Sequence, residues 1–248
     1  MNDHKKQADN TIYPIIRPYG EYSILLQWNP EISEDTHQEI LLWESALKHF
    51  PQIMETFSSF HELLLVYQTI IRDFEKEKRS ILIKAKQFQS TNGNLSKCIE
   101  IPACYEKRFG YDQEEVCHFL KINEEELIGS HSSREYRVYM IGFLPGFPYM
   151  GFLSEKIKLR RKSDPRKQVE AGSVGIAANM TGIYPVVSPG GWHIIAKTPV
   201  PVFFPKAEEP CLFNQGDRVV FRPLEVLEYE HIADQVSAGT FNFNSLIR

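Results

Sequence analysis

From residue 135 to residue 223 glycine and proline cut the chain into short β-rich runs: "EYRVYMIGF", "GSVGIAA", "WHIIAKT", "PVFF" and "DRVVFRP". Val, Ile, Tyr and Phe are concentrated in them, as in strands. Several short strands at close spacing, with turn residues between them, are the signature of a closed or nearly closed barrel. That expectation fixes the fold of the second half of the chain before any motif is considered.

The first part has another texture. Ile12 to Trp28 reads as strand, turn at "RPYGE", strand. A helix follows: Ser33 caps it, Glu34 and Asp35 suit its positive end, Ile40, Trp43 and Leu47 share a face, and Pro51 stops it. "QIMETF" and "ELLLVY" read as two strands about an "SSFH" turn. Ile70, Phe74, Ile81, Ala85 and Phe88 then recur at about the 3.6-residue period of a second helix. This first unit is α+β, a small sheet with two helices on one face. The polar stretch "QSTNGNLSK", with its Asn-Gly turn, marks a boundary near residue 92. The expected domains are therefore residues 1–92, with 1–10 flexible, and residues 93–248. The second domain opens with short helices at about 112–121 and 124–130, the latter behind an Asn123 cap.

Composition narrows the class. A chain of 248 residues with 42% hydrophobic and 24% charged residues is globular. The N-terminal "MNDHKKQADN" has no apolar core and is not a secretory signal, and "ELLLVYQTII" is too short to span a membrane. Cys98, Cys104, Cys117 and Cys211 lack CxxC spacing, which reads as free thiols in a cytoplasmic protein with neither zinc nor disulfides. A net charge of −4 argues against nucleic-acid binding. Yet "KIKLRRKSDPRK", residues 156–167, holds seven Lys or Arg and one Asp, a local net of +6. It is either a solvated face or the seat of an anionic ligand or acidic partner.

No phosphate loop of the form G-x-x-x-x-G-K-[ST] is present, and "AGSVG" misses the nucleophile-elbow pattern because residue 171 is Ala. What remains is three loops: "GFLPGFPYMGF" (142–152), "AGSVGIAANMTGIYP" (171–185) and "SPGGW" (188–192). Their glycines let backbone N–H groups approach a carbonyl or carboxylate, and their aromatic rings exclude water. They also suit tight barrel corners, and spacing alone leaves both readings open.

In order, "YRVYMIGFLPGFPYMG", "RR-x4-R", "AGSVGIA", "TGIYP", "SPGGW" and "GDRVVF" resemble the family of the 5-oxoprolinase B subunit, the Kip-type inhibitors of a sporulation histidine kinase and allophanate hydrolase subunit 1. The resemblance spans residues 97 to 223 strongly. It implies a cyclophilin-like β-barrel behind a small α+β domain, and a heteromeric complex with a homologue of the C subunit of 5-oxoprolinase and with its A subunit. The reaction implied is ATP-dependent opening of 5-oxo-L-proline to L-glutamate. ATP would be bound by or shared with a partner protein of that complex, with no metal in this chain. A histidine kinase as partner, or a carboxyltransferase-type role in a urea-metabolising complex, are the alternatives within the family.

On this reading Arg160, Arg161 or Arg166 holds the substrate carboxylate, while Gly146, Tyr149, Gly172 and Ser173 line the substrate. Backbone N–H groups of residues 145–151 and 172–175, with Thr181 and Tyr184, surround the carbonyl end. His131 precedes the "Y-x-V-x-M-I-G-F" strand as in the family pattern, and is either the general acid/base or a satisfied structural histidine. The chain departs from that pattern at Glu170 in "VEAGS", at Met180 where a Gln is usual, at Phe152, and in "GYDQ" (110–113). These changes imply altered specificity.

Overall fold

The computed structural model describes residues 14–88 and 96–248, so residues 1–10 and most of the boundary stretch lie outside the described residues. The chain divides into two compact units, Met1–Gly93 and Asn94–Arg248.

The first unit is α+β. Strands β1 (Ile15–Pro18) and β2 (Ser23–Gln27) are followed by α1 (Glu34–Leu47), β3 (Ile53–Ser58), β4 (Glu62–Tyr67) and α2 (Phe74–Phe88). The sheet order is β1-β2-β4-β3, antiparallel throughout. Ser33 caps α1 by accepting the Thr36 N–H at 3.1 Å. Alternation in β2 and β4 turns Ile24, Leu26, Leu63 and Leu65 inward against Ile40, Leu47 and Ile81 of the helices. Ile70 is not part of that helical stripe. The helix starts at Phe74, and Ile70 stays half-exposed in the connection.

In the second unit β5 (Cys98–Cys104) leads to α3 (Gln113–Leu120) and α4 (Glu124–Ser132). Asn123 and Glu126 close a capping box at the start of α4. Then come β6 (Glu135–Ile141), β7 (Pro148–Gly151), β8 (Arg166–Val169), β9 (Ser173–Ala177), β10 (Met180–Ile183), β11 (Ser188–Gly190), β12 (His193–Lys197), β13 (Arg218–Leu224) and α5 (Val226–Ser237). Seven strands form the closed barrel expected, in the order β10-β7-β6-β13-β5-β12-β9, and pairing of β9 with β10 shuts it. β8 and β11 form a separate two-stranded ribbon. One barrel pair is parallel: β13 runs beside β5 from Arg218↔Cys98 to Leu224↔Cys104.

Two expectations are corrected. "PVFF" is not a barrel strand, since Phe203 makes only an isolated bridge to Cys211. The three glycine-rich stretches are not simply loops, because β7, β10 and β11 lie within them. Small residues there let neighbouring layers approach closely; a Cβ on Gly182 would stand 2.8 Å from Phe147 Cζ and from the Pro148 carbonyl.

Candidate functional site

The aromatic residues of the first stretch build a wall around Phe147, which is 1% exposed. Its ring meets those of Phe143, Tyr149, Tyr184 and Trp192 edge-on, with centroids 5.7, 5.0, 5.2 and 5.4 Å away. Gly190 is required beneath this wall, because a side chain there would run into the Tyr184 hydroxyl. Burial pushes Tyr184 up to about 12, against a hydrogen bond from the Trp192 backbone and the nearby Arg161 charge. Tyr149 is raised for the same first reason and is likewise opposed by Arg161. Both phenols stay protonated at neutral pH, and Arg161 is the cation that faces them.

The basic segment is pinned on either side of Arg161. His193 Nε2–H donates to the Arg160 carbonyl at 3.0 Å, and the Lys162 N–H donates to the Gly191 carbonyl at 2.9 Å. Asp112, 1% exposed at the start of α3, anchors the rest. One of its oxygens accepts the Ile194 N–H at 2.7 Å, while the other takes Arg166 and lies 3.4 Å from Lys162 Nζ. Lys162 also pairs with Glu115. Arg166 further lies over the Tyr111 ring, 4.8 Å from its centroid. It is therefore held by the protein's own carboxylate, which removes it as a free anion holder. Arg160 and Arg161 make no ion pair among the described residues. They border a cleft of about 280 Å³ beside α3, with Phe119, Asp164 and His193 also on its walls.

The structure brings His131 and Thr181 together, but inside the barrel. Neither is exposed at all. Thr181 Oγ1–H donates to the Gly175 carbonyl at 3.0 Å, so the hydroxyl accepts from His131 Nε2–H at 2.9 Å. Nδ1 then accepts from the Tyr105 hydroxyl at 2.7 Å. Burial lowers the imidazole pKa from 6.5 to about 3, and the ring packs on Phe221 at 4.6 Å. A neutral histidine with both nitrogens engaged and no open surface fits the structural of the two readings of His131, and Thr181 is its partner there.

Other expected contacts are also redirected. Gly146, at φ +80, turns its Cα toward Phe203, with only 2.8 Å available to a Cβ, and so serves the turn before β7. Gly172, at φ +81, donates its N–H to the Tyr184 carbonyl at 2.8 Å and is closed off by the Thr198 carbonyl. Ser173 is buried with Tyr111 as its polar neighbour. The N–H groups expected to face a substrate carbonyl are thus largely engaged in barrel pairing. Glu170 is neutralised by Lys197, Met180 is buried against Gly151, and Phe152 packs on Tyr139 at 5.3 Å.

Asp112, Trp192, His193 and Phe119 were not singled out by sequence reasoning. The signal for Asp112 was present in "GYDQ", an acid directly before a helix and among buried neighbours. Among the described residues no group of His, Cys, Asp and Glu is arranged to hold a metal ion. No helix among them is long and apolar enough to cross a membrane.

Comparison with known proteins gives consistent matches. The family model described as "Carboxyltransferase domain, subdomain C and D" matches residues 14–213. A protein of Bacillus subtilis, named as the B subunit of 5-oxoprolinase, is 35% identical over 226 residues, 86% of this chain and 94% of that one. Among solved structures, TTHA0988 superposes with a TM-score of 0.71 at 31% identity over 85% of this chain, which spans only 41% of that longer chain. Urea carboxylase of Kluyveromyces lactis shares the fold, with a TM-score of 0.72 over 92% of this chain at 17% identity; the match covers 23% of the enzyme.

Proposed function

The chain belongs to the carboxyltransferase subdomain C and D family, and from that membership we propose that it is the B subunit of a cytoplasmic, ATP-dependent 5-oxoprolinase. In a complex with the A and C subunits it would hydrolyse 5-oxo-L-proline to L-glutamate, and alone it would be inactive. One observation carries this reading: the correspondence with a relative of that name covers 94% of the relative's length.

The features of the site support a seat for the substrate beside Arg161. 5-Oxo-L-proline is a flat lactam with a single carboxylate. Arg161, without an ion-pair partner among the described residues and held from both sides, would take the carboxylate through its fork of donors. Tyr149 and the wall behind it would cover the ring and exclude water, which strengthens that ion pair. In the glycine segments the N–H groups of Gly142 and Gly172 are bonded within the unit, and Gly175 and Gly182 face each other in the barrel ladder. These engaged groups support the reading that ATP would be bound by or shared with a partner protein of the complex.

Co-expression with homologues of the A and C subunits tests the proposal. A stable complex should release ADP and L-glutamate only when 5-oxo-L-proline is supplied. ATP hydrolysis indifferent to 5-oxo-L-proline would overturn it. The family description favours a second reading, a carboxyltransferase component, which the same complex would reveal by accepting a carboxyl group from a biotinyl carrier.

A further inference from the structure

Three charged residues at the border of the cleft beside α3 are left unmatched among the described residues. Lys162 is tied to Glu115 and Asp112, but Arg160, Arg161 and Asp164 have no ion-pair partner among the described residues, and all three border the cleft. Arg160 and Arg161 bring two positive charges to the border of one cleft, and an anion bound there offsets their mutual repulsion. Phe119, 73% exposed, adds an apolar surface at the same place. Behind it His193, 7% exposed, fixes the Arg160 carbonyl, so the segment needs little ordering when a ligand arrives.

Two cations, one anion and an apolar platform describe the complement of a particular ligand class. We infer that the cleft is a seat for an α-amino dicarboxylate, represented by L-glutamate. Arg160 and Arg161 take the two carboxylates, Asp164 takes the ammonium, and Phe119 covers the methylene chain. The inference rests on the 5-oxoprolinase reading for its choice of L-glutamate, and deepens it. Hydrolysis of the lactam breaks the amide C–N bond, adds the oxygen of water to the carbonyl carbon and leaves the nitrogen as an ammonium. Relative to the substrate, the product has gained one carboxylate and one ammonium. Arg160 and Asp164 match those two gained charges. Arg161 faces both the aromatic wall and the cleft, so it holds the carboxylate common to substrate and product. The site would therefore retain product and make L-glutamate an inhibitor of its own formation.

The test is a titration of the full-length chain, labelled with 15N and without ATP, using L-glutamate, 5-oxo-L-proline and glutarate as probes. L-Glutamate should shift the amides of residues 159–164 and 193 and bind about a hundredfold more tightly than the lactam, the effect of two extra charge-assisted contacts at about tenfold each. Arg160→Gln should weaken L-glutamate by about tenfold and leave the lactam nearly unchanged. Asp164→Asn should weaken L-glutamate but not glutarate, which has no ammonium. The spectra themselves verify that each variant is folded. Equal affinity for lactam and product, shifts confined to other regions, or indifference to Asp164→Asn would each overturn the inference. A complex that turns over 5-oxo-L-proline although the cleft ignores L-glutamate removes this site and leaves the proposed function standing. A cleft that binds L-glutamate in a complex without turnover does the reverse.

Discussion

His131 Nε2 lies 2.9 Å from Thr181 Oγ1 in the closed interior of the barrel, and the hydroxyl carries the hydrogen-bond chain on to the Gly175 carbonyl. This joins α4 to β10 and β9 and leaves both ring nitrogens and the hydroxyl satisfied. His131→Ala opens a cavity and strands the Tyr105 and Thr181 hydroxyls, so unfolding free energy should fall by about 3–5 kcal/mol. Thr181→Val leaves one ring N–H unpaired and should cost about 1–3 kcal/mol. Urea titrations measure both. A loss within error for either would mean that the hydrogen-bond chain is not a structural brace.

The same burial sets a pH dependence. His131 titrates at about 3 in the folded protein against 6.5 as its ordinary value. Between those values the unfolded chain binds a proton that the folded chain does not, so stability rises with pH across the window and is lost as pH falls from about 6.5 toward about 3. The expected slope from this group is roughly 1.4 kcal/mol per pH unit. His131→Gln should lack that component. Parallel slopes for wild type and variant between about pH 6 and about pH 4 would contradict it.

Asp112 should be the costliest charge to neutralise. Asp112→Asn leaves Lys162 and Arg166 facing a buried amide in place of a carboxylate, with an expected loss of about 3–5 kcal/mol. Removing the Arg166 charge as well should recover part of that loss. The double-mutant cycle reads the coupling, and strict additivity would argue against the anchor.

Glycines of the second unit should respond in opposite directions. Gly182→Ala sets a methyl group against Phe147 and the Pro148 carbonyl and should destabilise by about 1–3 kcal/mol. Gly129, inside α4, has nothing within 4 Å of the position a methyl would take, so Gly129→Ala should stabilise by about 0.5–1 kcal/mol. Thermal melts of the two variants suffice, and a shared sign would refute the packing account.

In the reconstituted complex, Arg161→Ala should raise KM for 5-oxo-L-proline by about tenfold or more, the value of one charge-assisted contact. Arg161→Lys should restore it only in part, since an ammonium lacks the planar fork. Steady-state kinetics at fixed ATP provide the measurement. An unchanged KM would move the carboxylate seat elsewhere.

Much of this architecture was legible in residue patterns. The Ser33 and Asn123 caps, the inward alternation of β4 and the closed barrel follow from local rules that tertiary packing reinforces. The site was less legible because its logic is pairing, which spacing does not encode. "RR-x4-R" looks like three equivalent cations, but Asp112, distant in sequence, takes Arg166 and leaves Arg160 and Arg161. His131 carries a catalytic residue type, yet the surrounding Phe221, Tyr136 and Tyr105 make it part of the interior. The glycine-rich stretches hid β7, β10 and β11, because glycine reads as a turn even where it serves close packing.

The parallel pairing of β5 with β13 has a consequence for biosynthesis. Lys97 and Asp217, which meet at 3.0 Å beside that pair, are 120 positions apart, and the other neighbour of β5, β12, also comes far downstream. As the nascent polypeptide leaves the ribosome, β5 waits with both edges bare until β12 (His193–Lys197) emerges, and its parallel partner β13 (Arg218–Leu224) follows later still. Such an interval invites mispairing between neighbouring nascent chains, so recombinant yield should depend more on translation rate and chaperone supply than on the strength of any single contact in the finished molecule.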